Sequence, residues 1–164
     1  SKPSVRELSF SNVDSQPRPF VLETGARPRR ALVIKKTGNL AATEVLRRMI
    51  DWLRERDITV MVEPQVYNEL HNDSVITWSP SVAFSPLSHV GRYEINTLVD
   101  FVITLGGDGT LLFASSLFPK TMPPVLSFHM GTLGFLTPFS ATQFEEPLSR
   151  VVFFLLFDAD GRRR

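Results

Sequence analysis

The amino-acid sequence predicts an α/β fold with three layers, in which helices cover an open, mainly parallel sheet. Four short aliphatic segments are typical of buried strands, and they lie at 31–34, 58–62, 101–105 and 125–128. A segment compatible with a helix lies between the first and second of these strands, and another lies between the third and fourth. The order strand, helix, strand therefore occurs twice. This order is typical of parallel sheets, because a crossover helix returns the chain to the starting edge.

Composition limits the kinds of partner. The 164 residues are 43% hydrophobic and 21% charged, as in an ordinary globular domain with a real core. A formal net charge of +1 gives no electrostatic reason to expect nucleic acid or an anionic membrane as partner. No cysteine is present, which excludes disulfides and thiolate metal sites. The longest apolar run, 151–157, is far shorter than the roughly 20 residues that span a bilayer.

The first half begins with a proline-containing segment, 1–29, which we interpret as an extended arm. A strand at 31–34 ends at two lysines, and a second strand covers 58–62. Between them, four apolar residues share one helical face at i, i+3, i+4 and i+7: Leu46, Met49, Ile50 and Leu53. We therefore expect an α/β domain over 30–150 that starts with a strand–helix–strand unit.

Residues 64–97 interrupt this regular order. Serines, prolines and turn-forming residues predominate there, so we expect a loop-rich insertion. His71 and His89 lie in it, but isolated histidines without a ligand-spaced partner indicate surface residues and no metal site.

The second half places two glycine loops after neighbouring strands. Its predicted elements are, in order, a strand at 101–105, a helix over 110–118, a strand at 125–128, and a helix over 141–150 with Ser140 as its N-cap. Loops 106–110 and 131–134 follow the two strands. Since parallel strands share a carboxyl edge, we expect both loops to border the crevice where the strand order reverses.

Glycines in the first loop are suited to phosphate. Gly106, Gly107 and Gly109 let a ligand approach the backbone N–H groups without meeting a Cβ, and Thr110 adds a hydroxyl. No lysine follows, so the loop is not a Walker A motif, and Leu112 breaks the dinucleotide fingerprint. Phosphate charge would therefore be neutralised by Mg²⁺ or by a cation from elsewhere in the fold.

Asp108 is the one carboxylate inside this loop. Beside bound phosphates it would repel them, unless it holds a metal ion or takes a proton from an attacking hydroxyl. The alternative is structural, because aspartate also caps helices and forms Asx turns. Both interpretations remain open at this point.

Two segments resemble a known family. LGGDGTLLFASSLF, residues 105–118, looks like the signature loop shared by NAD kinases, 6-phosphofructokinases and diacylglycerol-type lipid kinases. PPVLSFHMGTLGFLTPF, residues 123–139, resembles the second characteristic block of eukaryotic NAD kinases. The resemblance implies the phosphofructokinase-like, Rossmann-like N-terminal domain of these kinases.

The resemblance further implies transfer of the ATP γ-phosphate to the 2′-hydroxyl of the adenosine ribose of NAD(H), with Mg²⁺ as cofactor. Asp108 would be the general base. Residues expected to line the nucleotides are Gly106, Gly107, Gly109, Thr110, Gly131, Gly134 and Phe135. From its LGFL context alone we favour a core position for Phe135 over stacking on a nucleotide, and for His129 we favour a core or turn position over a catalytic one.

The resemblance ends near Arg150, so we expect an atypical tail at 151–164 and no β-rich C-terminal domain of the kind that completes these kinases. The apolar run at 151–157 is an aggregation hazard because it has no guaranteed partner strand, and one alternative is that it supplies the last strand of the sheet. An alternative function is that of a non-catalytic, nucleotide-binding or regulatory fragment of an NAD kinase. The partners we expect besides ATP and NAD(H) are a second copy of the chain, in a homo-oligomer, or a full-length kinase. We expect a cytoplasmic location, with mitochondria as the alternative.

Overall fold

Six parallel strands form one sheet. A computed structural model describes residues 30–71, 74–77, 99–118, 121–157, 160 and 162. The strands are β1 (Arg30–Lys35), β2 (Thr59–Val62), β3 (Ile76–Thr77), β4 (Phe101–Leu105), β5 (Val125–His129) and β6 (Phe139–Ser140). Their spatial order is β3-β2-β1-β4-β5-β6, and every neighbouring pair is parallel. The predicted α/β class is confirmed.

Helices cover both faces of this sheet. They are α1 (Leu40–Arg54), α2 (Pro64–Leu70), α3 (Asp108–Ser116) and α4 (Glu145–Leu156), with a 3₁₀ turn (Ala141–Gln143) before α4. Buried residues of α1, α2 and α4 pack in one core cluster, whereas Ala114 of α3 belongs to a second cluster. Three layers result, with α3 on the face opposite to the other helices.

Alternation along β1 explains why there are two cores. Ala31 and Val33 belong to the cluster beneath α1, and Leu32 and Ile34 belong to the cluster beneath α3. Successive side chains of a strand point to opposite faces, so a strand covered on both sides is apolar throughout. All five residues of β4 are likewise buried.

The strand order reverses between β1 and β4. The crossover from β1 through α1 leads to β2 on one side, and the crossover from β4 through α3 leads to β5 on the other. Right-handed crossovers in opposite directions place their helices on opposite faces, which leaves a crevice at the carboxyl ends of the two central strands.

Residues 64–70 and 76–77 form regular elements where a loop was predicted. Pro64 starts α2, a position that suits proline because its missing N–H is not needed there. Val66 and Leu70, one helical turn apart, are buried in the core, and β3 then extends the sheet. The helix has only seven residues, too few for periodicity to stand out in the sequence. Most of the rest of the predicted insertion, and the arm at 1–29, lie outside the described residues.

The apolar run after Arg150 is helical, so the alternative that it supplies a last strand was wrong. Helix α4 continues to Leu156, and Leu148, Val152 and Leu155 are buried at helical spacing against the sheet. The boundary expected at 150 therefore falls inside a helix.

Two helix starts also differ from prediction. Helix α3 begins at Asp108 instead of Thr110, and α4 begins at Glu145 after the 3₁₀ turn. The Ser140 hydroxyl makes no capping hydrogen bond and lies 2.9 Å from the Thr142 hydroxyl. No helix within the described ranges is long and apolar enough to cross a membrane.

Candidate functional site

A cleft opens where the strand order reverses, and it has a volume of about 490 Å³. It is bordered by the loops that follow β1, β2 and β4. The described residues that line it are Ile34, Lys35, Lys36, Thr37, Glu63, Gln65, Gly107, Gly109, Thr110 and Phe113. This is the position at which open α/β sheets bind ligands.

The glycines of the first loop have two different structural roles. Gly107 and Gly109 are exposed, line the cleft, and have open space where a Cβ would stand. Gly106 is buried, donates its N–H to Phe128 O at 3.0 Å, and leaves no room for a Cβ beside the Thr110 side chain. Gly106 therefore packs the loop against β5, and the other two glycines face the cleft.

Asp108 joins the two glycine loops. It stands in the first turn of α3, where a negative charge interacts favourably with the helix dipole. Its Oδ2 accepts the backbone N–H of Phe135 at 3.1 Å, and its Oδ1 accepts that of Leu136 at 3.0 Å. The carboxylate thus holds the β5–β6 loop, which was not among the structural roles considered for it from sequence.

Gly134 makes this contact sterically possible. A Cβ at this position would collide with Asp108 Oδ1 and would lie 2.6 Å from Thr137 Oγ1. The Gly134 N–H is donated to the same Thr137 hydroxyl at 3.1 Å, and Thr137 is fully buried. Glycine is needed here because the backbone approaches a carboxylate and a hydroxyl at once.

The second glycine loop lies beyond Asp108, away from the cleft. Asp108, Gly131 and Gly134 are not among the described residues that line the cleft, so the second loop does not border it as expected, and Asp108 adjoins it only through its neighbours Gly107 and Gly109. Phe135 is fully exposed, with a relative accessibility of 102%, and the core interpretation of its ring was wrong. His129 ends β5, and its buried Nδ1 has no hydrogen-bond partner among the described residues.

Two lysines at the cleft, Lys35 and Lys36, do not stand out as site residues in the sequence. Lys35 and Lys36 were interpreted only as the end of a strand, and yet both border the cleft. Both lysines lie at the end of a buried strand, next to the point where the strand order reverses. This position indicates a ligand-binding residue, but only when the strand order is known.

Lys35 is buried and ion-paired. Its Nζ lies 2.5 Å from Glu69 Oε2 and donates to Lys36 O at 3.0 Å, and its side chain has no exposed surface. The hydrogen bond from Lys35 holds the pKa of the Glu69 carboxyl below its usual value. Glu69 lies in α2, within the segment that was predicted to be a loop.

Glu63 is the second carboxylate of the β2–α2 region. It follows β2, lines the cleft and is half-buried. Burial raises the pKa of Glu63, because partial desolvation disfavours the charged form.

Comparison with known proteins agrees with this architecture. The sequence profile described as the ATP-NAD kinase N-terminal domain matches residues 31–153. "Probable NAD kinase 1" of Oryza sativa subsp. japonica is 34% identical over 155 residues, covering 91% of this chain and 28% of the relative. The mitochondrial NADH kinase of Schizosaccharomyces pombe is 35% identical over 124 residues, covering 72% and 28%.

A solved structure has a similar fold. The crystal structure of yeast NADH kinase complexed with NADH superposes with a TM-score of 0.60 at 27% identity, covering 78% of this chain and 39% of that one. The chain spans less than a third of the length of the rice and S. pombe relatives. Because the family profile extends over most of the chain, from β1 into α4, the chain belongs to the ATP-NAD kinase family.

Proposed function

We propose that this chain takes part in transfer of the ATP γ-phosphate to the 2′-hydroxyl of the adenosine ribose of NAD(H), with Asp108 as general base. The observation that carries the proposal is the position of Asp108. Its neighbours Gly107 and Gly109 line the cleft at the reversal of strand order, and its carboxylate holds the second glycine loop through two backbone amides.

The hydrogen bonds of Asp108 are compatible with a base. Each carboxylate oxygen accepts one backbone N–H, and each can accept a further hydrogen bond, because a carboxylate offers about four lone-pair sites. Two fixed donors also set the orientation of the carboxylate before a substrate arrives. Fixed orientation is what proton transfer and positioning require in phosphoryl transfer.

The cleft is suited to the phosphates of ATP. Exposed Gly107 and Gly109 flank the start of α3, where backbone N–H groups are free of helical partners. Thr110 adds a hydroxyl on the same wall. NAD(H) is assigned to the other side of Asp108, near Gly131, Gly134 and Phe135.

Mg²⁺ is proposed to enter with the nucleotide. Within the described part of the chain, no group of three or more His, Cys, Asp or Glu side chains is arranged to hold a metal ion. This fits Mg²⁺, which commonly keeps several waters and relies on substrate phosphates for its remaining ligands. The ion would neutralise phosphate charge, and no residue of this chain is assigned as its ligand.

A second candidate function is nucleotide binding without turnover, in a regulatory role. It is favoured by the lining of the cleft, which includes Gly107, Gly109 and Thr110 but not Asp108, so a nucleotide in the cleft would contact the glycine loop and not the carboxylate. Transition-state stabilisation needs groups fixed on both sides of the reacting phosphate. Binding of ATP without formation of NADP would support this candidate.

The experiment is NADP formation from ATP, Mg²⁺ and NAD by the parent chain and by Asp108→Asn. We expect the substitution to lower turnover by about 10²- to 10⁴-fold, the usual contribution of a general base. Asp100→Asn is the matched control, because Asp100 precedes the opposite end of β4 and accepts the Arg30 N–H at 2.8 Å. Equal turnover in Asp108→Asn and the parent would contradict the assignment of the base.

A further inference from the structure

Two adjacent lysines at the end of β1 have opposite environments. Lys35 continues the alternation of Ala31 and Val33, so its side chain lies on the face of α1 and α2. Lys36 follows the alternation of Leu32 and Ile34, so its side chain is directed to the face of α3. Its N–H is donated to Leu105 O at 3.1 Å, which continues the parallel register by one residue.

Glu69 ties Lys35 and the β1–α1 loop together. Its Oε2 accepts Lys35 Nζ at 2.5 Å and Thr43 Oγ1 at 3.3 Å, and its Oε1 accepts the Gly38 N–H at 3.1 Å. Lys35 Nζ also donates to Lys36 O. With its N–H bonded to β4 and its carbonyl bonded to Lys35, Lys36 has a backbone that is held on both sides.

The Lys36 side chain itself is left available. It is exposed and lines the cleft, and its ammonium forms no ion pair with the described residues. On the facing wall stand Gly107, Gly109 and Thr110, at the end of the strand adjacent to β1. Neighbouring strands are about 4.8 Å apart, so the ammonium of a flexible lysine reaches an anion bound at that wall.

We propose that Lys36 binds a phosphate of the nucleotide in the cleft, and that the Lys35–Glu69 pair is the positioning device that presents it. The inference rests on the proposed function, which assigns ATP to the cleft. It identifies the cation that the first glycine loop lacks in sequence. Lys35 cannot serve, since its side chain is completely buried and already paired.

The first test is ATP binding by the 164-residue chain, measured by titration calorimetry with Mg²⁺ present. We expect Lys36→Ala to weaken ATP binding by about 10- to 100-fold, the value of a charge-assisted hydrogen bond, and Lys36→Arg to restore part of it. Arg54→Ala is the matched control: it removes the same charge from the exposed end of α1, at the opposite edge of the sheet, and should leave affinity unchanged.

The second test separates positioning from general stability. Glu69→Gln keeps the shape of the side chain but removes the ion pair, and it should weaken ATP binding in the parent background. In the Lys36→Ala background the same change should have little further effect, because Glu69 acts through Lys36. A purely structural role would give the same loss in both backgrounds, and that result would overturn the positioning role.

Binding by Lys36→Ala that equals that of the parent would overturn the phosphate assignment, as would a parent chain that binds no ATP. Equal binding by Lys36→Ala leaves the transfer reaction undecided, because that reaction is judged by NADP formation in the parent and in Asp108→Asn. A parent chain that binds no ATP would contradict both proposals, whereas ATP binding that is independent of Lys36 would contradict only this one.

Discussion

Two carboxylates each hold a loop at the carboxyl edge of the sheet, in different ways. Asp108 holds the β5–β6 loop through two backbone amides at 3.0 and 3.1 Å. Glu69 holds the β1–α1 loop through an ammonium, a backbone amide and a hydroxyl. Asp108 accepts only from neutral donors of an exposed loop, whereas Glu69 is paired with a buried charge.

The two carboxylates differ in the charge of the groups that they hold. Glu69 is committed, because removing it would leave the buried Lys35 ammonium without its partner, which is strongly unfavourable. Asp108 faces no cation among its hydrogen-bond partners, so a substrate hydroxyl can be added without breaking an ion pair. We therefore interpret Glu69 as a structural clamp and Asp108 as a clamp that can also react.

The largest expected effect on NADP formation comes from Gly134→Ala, which breaks the Asp108 clamp. A methyl group there would collide with the Asp108 carboxylate and the Thr137 hydroxyl, so the loop or α3 must move. We expect the free energy of unfolding to fall by about 1–3 kcal/mol, as for overpacking, and NADP formation to be lost. Thermal unfolding and the turnover assay measure the two effects.

Gly131→Ala is the control in the same loop, because a Cβ there meets nothing within 4 Å. Its stability should stay within about 0.5 kcal/mol of the parent. If both alanine variants unfold like the parent, the close approach of Gly134 to Asp108 is not rigid and the clamp is absent in solution.

Low pH should break the Glu69 clamp, and the free energy of unfolding measured as a function of pH detects this. The pKa of Glu69 is lowered in the folded state, so the unfolded chain takes up the proton first as pH falls. The stabilisation is therefore present above the unfolded pKa, near 4.5, and is lost as pH falls through the folded pKa. Denaturant unfolding at stepped pH should show this loss in the parent and a weaker loss in Glu69→Gln.

The contribution of Glu63 to stability should change with pH in the opposite direction to that of Glu69. Burial raises its folded pKa, so its contribution to stability is present at low pH and is lost as pH rises through that pKa. In the parent, the free energy of unfolding should therefore decline as pH rises, and in Glu63→Gln this decline should be absent. A decline of the same size in parent and variant would show that Glu63 is not desolvated in solution.

The smallest effect on stability is expected for Phe135→Ser. The clamp uses only the backbone N–H of Phe135, and its ring is fully exposed. Unfolding should shift by no more than about 0.5 kcal/mol, whereas NAD binding should weaken if the ring contacts the dinucleotide. Phe128→Ala, at a fully buried phenylalanine of β5, is expected to cost about 3–5 kcal/mol.

Local patterns predicted most of the central elements. β1, α1, β2, β4 and β5 correspond to segments whose period or apolar run is long enough to identify. The two helical segments that were not predicted have short or ambiguous sequence patterns. Helix α2 has only seven residues, and the run after Arg150 is apolar enough to suit either a strand or a helix. In both cases tertiary packing decided, by burying one helical face against the sheet.

The site divides in the same way. Asp108 and its flanking glycines stand out within one short stretch, and so does their suitability for phosphate. No local pattern predicts the long-range contacts of the site. Asp108 bonds to residues 27 and 28 positions away, and Lys35 pairs with a glutamate 34 positions away.

By itself, the sequence determined the α/β class, the glycine loop with its carboxylate and the kinase resemblance, because each is a property of a short, contiguous segment. The tertiary structure alone decided three things: which loops share the cleft, that Lys36 faces it while Lys35 is buried, and that Phe135 is exposed. The physical reason is that strand order and the direction of each crossover bring distant segments together. Contacts between such segments depend on the whole sheet and not on the residues beside them.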